Sequence, residues 1–262
     1  MTDKTLVIKI GGSTLGQNDT TIEDLVSLQK MGYQLVIVHG GGKQINGWLD
    51  SFKIEPAFNN GLRVTDLKTL EVVTAVLCGL INKQIVADIL HAGGNAIGIS
   101  GVDGGIIQGK MNNVALGFTA EEITVNVAVI HVLLQSGYMP VISPVSLNMS
   151  AEYNHMTRLV NVNGDTAAAA IASAIQAEKL VFLTDVGGLY DQNKDIIGTI
   201  TSDAAERLID SNIISGGMAV KIKSCIKALA KVSLTRIIDG RISHSLIREI
   251  EENSGGTTIA AK

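Results

Sequence analysis

Two lysines stand where a lysine is costly. Lys9 interrupts the apolar run Leu6-Val7-Ile8-Lys9-Ile10, directly before Gly11 and Gly12. In a strand buried on both faces an ammonium group destabilises the fold unless an anion or a carboxylate accompanies it. A salt-bridged or snorkelling core-edge lysine is one reading. A phosphate ligand is the other, and it also accounts for the glycines, whose amides can approach the same anion. Lys221 follows Gly216-Gly217-Met218. At about 100° per residue, Met218, Ile222, Cys225 and Leu229 form an apolar stripe, with Lys223, Lys227 and Lys231 as a solvated ridge roughly opposite. Lys221 belongs to neither set. It lies beside the apolar stripe near the helix start, so it is expected to point into a cleft.

Four polar turns accompany the lysines. His39-Gly40-Gly41-Gly42 closes an apolar run and opens a helix at Lys43, which exposes amides and a helix N-terminus to an anion; a plain tight turn is the alternative. Asn60-Gly61-Leu62-Arg63-Val64-Thr65 puts an arginine on a turn, where it can grip a carboxylate in bidentate fashion or simply face solvent. In Asn161-Val162-Asn163-Gly164-Asp165-Thr166, extended backbone would place Asn161, Asn163 and Asp165 on one side. The small residues Ala167 to Ala170 would let a ligand approach; an Asx-turn with an N-cap is the competing account. Asp185-Val186-Gly187-Gly188-Leu189-Tyr190 ends another strand and suits a nucleotide base and ribose, or a structural turn.

Other chemistries find little support. There is no Gly-x-x-x-x-Gly-Lys-Ser/Thr loop, no six-position dinucleotide fingerprint, no His-x-x-x-His pair and no Gly-x-Ser-x-Gly elbow,. A net charge of −4 without a basic block argues against nucleic-acid or membrane-surface binding,. The apolar runs are broken by charge or glycine well short of ~18 residues, so no membrane span is expected. No signal-peptide layout precedes Thr5. The two cysteines, Cys78 and Cys225, match no disulfide or metal spacing and read as buried free thiols, in keeping with a reducing cytoplasm,.

The elements that must hold these residues alternate strand and helix. Strands are predicted at Leu6–Ile10, Leu35–Val38, Ala96–Ser100, Pro140–Ser143, Leu180–Thr184, Thr235–Ile238 and Thr257–Ala260,. Helices are predicted around Ile22–Leu28, from Lys43, over Asp66–Leu90 with Thr65 or Asp66 as N-cap, after Asp165, near Ser202–Ser211, from Gly217 and from Ser243. The 262 residues, 46% hydrophobic and 18% charged, have the material for a sizeable core,. The expected fold is α/β, a three-layer αβα sandwich on a mainly parallel sheet. A soft boundary near Asp165 divides an N-terminal lobe, residues 1–164, from a C-terminal lobe, residues 165–262, on one continuous sheet. Ligands of such sheets bind beyond the carboxyl ends of the strands, where the unusual residues occur.

Taken in order, Lys-x-Gly-Gly at Lys9, His-Gly-Gly-Gly, Asn-Gly-Leu-Arg-Val-Thr-Asp, Asn-Val-Asn-x-Asp, Thr-Asp-Val-x-Gly-Leu and Gly-Gly-Met-x-x-Lys span essentially the whole chain. The chain thereby resembles the amino-acid kinase family, and within it the members acting on N-acetyl-L-glutamate. The resemblance implies transfer of the γ-phosphoryl group of ATP, with Mg²⁺ carried by the nucleotide, to a side-chain carboxylate in arginine biosynthesis. It makes Lys9 and Lys221 the charge-stabilising groups, with Asp165 positioning them. Gly41, Gly42, Arg63, Asn161 and Asn163 would hold the acetylated amino acid, with Arg63 on its α-carboxylate. Gly11, Gly12, Asp185, Val186, Gly187, Gly188, Leu189, Tyr190, Ile213, Ile214 and Ser215 would line the nucleotide site. Gly164, Thr166 and the stretch Ser215-Gly216-Gly217 depart mildly from the pattern. The short stretch before Lys9 leaves no room for the extra helix of arginine-inhibited members, so a homodimer without arginine feedback is expected; inhibition by arginine or a hexamer would refute this. The rivals are a kinase of an N-blocked aminoadipate in lysine biosynthesis and a non-catalytic amino-acid-binding regulator. One methylene changes discrimination by only ~1–3 kcal/mol, whereas a regulator would be expected to lack one of Lys9, Lys221 and Asp165.

Overall fold

The computed structural model of the chain describes residues 5–12, 20–153, 155–191 and 193–261. Strand β1 (Thr5–Ile10) leads to helix α1 (Thr21–Lys30), and β2 (Gln34–His39) to α2 (Gly42–Ser51). A hairpin of β3 (Ala57–Asn59) and β4 (Leu62–Val64) then turns on Asn60 and Gly61. Both have positive φ, as a two-residue I′ turn requires,. Asp66 starts the long helix by accepting from the Thr69 amide at 2.7 Å,. That helix is not uniform: α3 (Leu67–Thr74) and α4 (Asn82–His91) are joined by a π-helical stretch, Ala75–Ile81, which apolar periodicity does not reveal,. By length and composition Leu67–His91 could cross a membrane. Here Leu70, Val73, Val76, Leu77, Ile81, Ile85 and Ile89 are all buried in the core.

The chain continues with β5 (Ala96–Ser100), β6 (Ile107–Lys110), β7 (Thr119–Ala120), β8 (Glu122–Val125), α5 (Ala128–Gln135), β9 (Met139–Ser143), β10 (Val145–Asn148) and β11 (Leu159–Val162). There follow α6 (Gly164–Ala174), β12 (Lys179–Thr184), β13 (Thr199–Thr201), α7 (Ser202–Asp210), α8 (Gly216–Ala228), β14 (Leu234–Asp239), α9 (Ser245–Glu252) and β15 (Thr257–Ala260). Eight strands form the central sheet in the order β13-β15-β14-β12-β1-β2-β9-β5. All neighbours are parallel except β14 and β15. The sheet runs unbroken past Asp165, because β1 pairs with β2 on one side and β12 on the other. A second, five-stranded sheet, β7-β11-β10-β6-β8, was not foreseen. Its strands are two to four residues long, too short for alternation to register,.

The central sheet has a core on each face. Leu6, Ile8, Ile10, Leu35 and Ile37 pack with α1, α4 and the π-helical stretch. Val7, Val36, Val38, Leu180 and Phe182 pack with α6 and α8. Alternation along β1 therefore puts Lys9, in step with Val7, on the α6/α8 face. There it lies in register with Val38 and Phe182.

Candidate active site

The α6/α8 face supplies what Lys9 lacks. Asp165 stands in the first turn of α6, and its carboxylate meets Lys9 Nζ at 2.7 Å and Lys221 Nζ at 3.0 Å. All three residues are less than a tenth exposed. Lys221 also sits 5.0 Å over the Phe182 ring, a favourable place for a cation. Burial alone would raise the Asp165 carboxyl, but Lys221 and Lys9 more than offset it and hold it at about 2. Burial pushes Lys9 below its usual value, and Lys221 adds to the effect while Asp165 opposes it. Two buried cations share one carboxylate, so the centre carries an excess positive charge and is suited to receive an anion.

Two glycine turns abut this centre. A Cβ on Gly12 would lie 2.8 Å from Gly41 Cα, and a Cβ on Gly41 would lie 2.2 Å from Ile81 Cδ1. The turns touch backbone to backbone, which only glycine permits. Helix α2 starts at Gly42 without a side-chain cap, so its first amides remain for a ligand,. Not every glycine amide is free: Gly11 N–H donates to Leu183 O, and Gly40 N–H to Ile10 O. Gly11 thus extends the sheet, and its amide is not available to a phosphate. His39 is fully buried, and burial lowers its pKa to about 4. Asn82 Nδ2 donates to His39 Nε2 at 3.2 Å, which leaves the Nδ1 proton for Gly40 O at 3.1 Å,. This histidine supports the turn as a neutral group.

A cavity of about 190 Å³ runs from Lys9, Gly12 and Gly41 to Phe58 and Arg63, with Asn161 and Asn163 on its wall. The Arg63 carbonyl accepts from the Thr119 and Thr65 hydroxyls at 2.7 and 3.2 Å. Its guanidinium lies 4.8 Å over Phe58 and donates from Nη2 to Asn46 Oδ1 at 2.6 Å. Nη1 is buried without a partner, and burial lowers the Arg63 pKa. Asn161 donates from Nδ2 to Thr65 Oγ1 at 3.1 Å. The expectation that Asn161, Asn163 and Asp165 share one side of an extended segment fails, because the backbone turns helical at Gly164. Asn163 is the α6 N-cap, accepting from the Asp165 and Thr166 amides at 2.8 and 3.2 Å. Gly42 also borders the cavity.

Of the expected nucleotide-lining residues, Gly12 borders this cavity and the others do not. Asp185 is exposed beyond β12, Val186 is half-buried, and Gly187 N–H donates to the exposed Tyr190 hydroxyl at 3.2 Å. Gly188 is buried with φ +151, where a Cβ would strike Thr257 Oγ1. Two of these residues turn their side chains inward. Leu189 and Ile214 are 3% and 6% exposed and belong to the core, so their side chains are not available to a nucleotide. Ile213 and Ser215 are exposed, Ser215 at the start of α8. Sequence reasoning missed Asn46, which reaches Arg63 only through the α2–hairpin contact, and the Asn82–His39 support. No local signal marks either. Among the described residues no group of three or more His, Cys, Asp or Glu side chains is placed to hold a metal ion.

Comparison with known proteins agrees with this geometry. Residues 4–239 match the Amino acid kinase family. The chain is 45% identical over 254 residues to the acetylglutamate kinase of Dehalococcoides mccartyi, covering 97% of this chain and 93% of that protein. It is 44% identical over 268 aligned positions to the acetylglutamate kinase of Caldanaerobacter subterraneus subsp. tengcongensis, covering 99% and 88%. The crystal structure of smu.665 from Streptococcus mutans UA159 has a TM-score of 0.85 at 27% identity and covers 99% of both chains.

Proposed function

The chain belongs to the amino acid kinase family, and on that premise we propose that it phosphorylates the side-chain carboxylate of N-acetyl-L-glutamate with ATP, as an acetylglutamate kinase of arginine biosynthesis. One observation carries the substrate assignment. The cavity is lined both by Lys9, which belongs to the Lys9–Asp165–Lys221 centre, and by Arg63, whose Nη1 has no hydrogen-bond partner, and so suits a dianion.

Arg63 takes the α-carboxylate and Asn161 the acetylated amino group. The side-chain carboxylate then lies beside Lys9, Gly12 and Gly41. MgATP is the second substrate, its Mg²⁺ held by phosphate and water oxygens. A carboxylate oxygen attacks the γ-phosphorus, the bond to the β,γ-bridging oxygen breaks, and ADP leaves with that electron pair. The nucleophile is already an anion, so no general base is required. The work left to the protein is alignment and relief of repulsion between anions. Lys9 and Lys221 neutralise charge on the transferring group, Asp165 keeps both ammonium groups at one point, and the amides at Gly12, Gly41 and Gly42 supply further donors.

Residues 1–164 would carry the amino-acid substrate and the dimer contact, and residues 165–262 the nucleotide, with Gly187, Gly188, Tyr190 and Ser215 contributing. A cytoplasmic homodimer fits this role. The outward side of the Leu67–His91 helix exposes Ala75, Gly79 and Leu80, a small-residue apolar strip suited to a second copy. Hydroxylamine trapping of the acyl phosphate tests the activity, with ATP, Mg²⁺ and either N-acetyl-L-glutamate or N-acetyl-L-aminoadipate. Strong signal with the first is expected. Preference for the second moves the enzyme to lysine biosynthesis, and silence with both overturns the substrate assignment.

A further inference from the structure

We infer that Asn46 is a positioning residue that sets the strength with which the α-carboxylate of the substrate is bound, acting through Arg63; this rests on the function proposed above. Arg63 is held at three points, one on its backbone and two on its side chain. Its backbone carbonyl is tied by Thr65 and Thr119, its guanidinium carbon lies over the Phe58 ring, and Nη2 is held by Asn46 Oδ1. What remains is Nη1, buried and without a hydrogen-bond partner, on a residue that lines the cavity. Asn46 thus uses one arm of the guanidinium fork and leaves the other for a carboxylate.

The chemical type of residue 46 matters as much as its place. Asparagine is a neutral acceptor, so it orients the fork without cancelling its charge. An aspartate in the same rotamer would form a charge-assisted pair with Arg63 and become a competitor for the incoming carboxylate. Asn46 is half-buried on α2, which starts at the Gly41–Gly42 turn. The element that presents amides to the cavity therefore also fixes the arginine that lines it, and sets the spacing between the two.

The test is N46D, with N46A beside it. For N46D, KM for N-acetyl-L-glutamate should rise roughly 10- to 100-fold, the range of one hydrogen bond to a charged group. KM for ATP should stay within twofold, kcat should be largely kept, and the melting temperature should not fall. The Ki of 4-acetamidobutanoate, which lacks the α-carboxylate, should be the same for wild type and N46D. N46A should fall between them in KM for N-acetyl-L-glutamate. Three results overturn the inference: N46D with an unchanged KM, an equal loss on 4-acetamidobutanoate, or a loss of stability and kcat together. No acyl phosphate from the wild-type protein overturns the parent function instead, and is read in the same assay before any variant.

Discussion

Replacing Asp165 by asparagine removes one negative charge from between two buried ammonium groups and barely alters the shape. At an effective dielectric constant of about 20, contacts of 2.7 and 3.0 Å correspond to direct attractions of about 6 and 5.5 kcal/mol,. Desolvation of the ions offsets much of this, and breaking such a buried pair costs about 3–5 kcal/mol net. The variant can recover part of the loss only by releasing a proton from a lysine, and Lys9 already lies below its usual value. Between its lowered folded pKa and the unfolded value, the unfolded chain binds more protons. Stability there rises with pH, by up to about 1.4 kcal/mol per unit. Without Asp165 that window opens at lower pH. D165N should therefore be about 3–5 kcal/mol less stable than wild type at pH 7, with a deficit that shrinks toward pH 10. Catalysis should fall on the order of 10²–10³ because the lysines lose their alignment, while KM for N-acetyl-L-glutamate, governed from the Arg63 end, moves little. Urea midpoints at pH 7, 8, 9 and 10, and acyl-phosphate rates at pH 7.5, read both effects. A rate within threefold of wild type, with a stability deficit independent of pH, would refute the reasoning.

Three further outcomes follow from the same structure. His39 is held neutral with a pKa of about 4 against 6.5 unfolded, so about 3 kcal/mol of stability should be lost as pH falls from 6.5 to 4. Thermal melts across that window should show the slope flattened in H39Q, and an unchanged slope rejects the assignment. A Cβ on Gly12 would press on Gly41 backbone, whereas one on Gly42 meets nothing within 4 Å. G12A should lose about 1–3 kcal/mol by urea titration and most of its kcat/KM for ATP, and G42A should keep wild-type stability. Glu249, fully buried, bridges Lys179 at 3.1 Å and Arg236 at 2.6 Å. E249Q should lose about 3–5 kcal/mol of stability, yet folded E249Q should phosphorylate at the wild-type rate, since this charge cluster lies away from the cavity.

The repeated strand–glycine–helix pattern was legible because each unit is coded locally. The strand from Leu6, the helix from Lys43 and the alanine-rich helix after Asp165 all lie where periodicity and turn residues put them. Lys9 and Lys221 were conspicuous for a local reason too, since each is a charge within an apolar pattern. The sheet of β6, β7, β8, β10 and β11 was not legible, because its short strands carry too few residues for alternation to register. The π-helical stretch was hidden, for its apolar residues keep a helix-like spacing. Leu189 and Ile214, expected at the nucleotide site, have side chains in the core, since their burial depends on Thr257 and α7 folding over them. Pairing was also beyond the sequence. Lys9 meets Asp165 and Lys221 because β1 lies between β12 and β2, and its odd positions face α6 and α8. Arg63 finds Asn46 across 17 positions only once the hairpin folds against α2. Local periodicity encodes which side of an element is buried; which buried sides meet is set by strand order and helix docking, and these are properties of the whole chain.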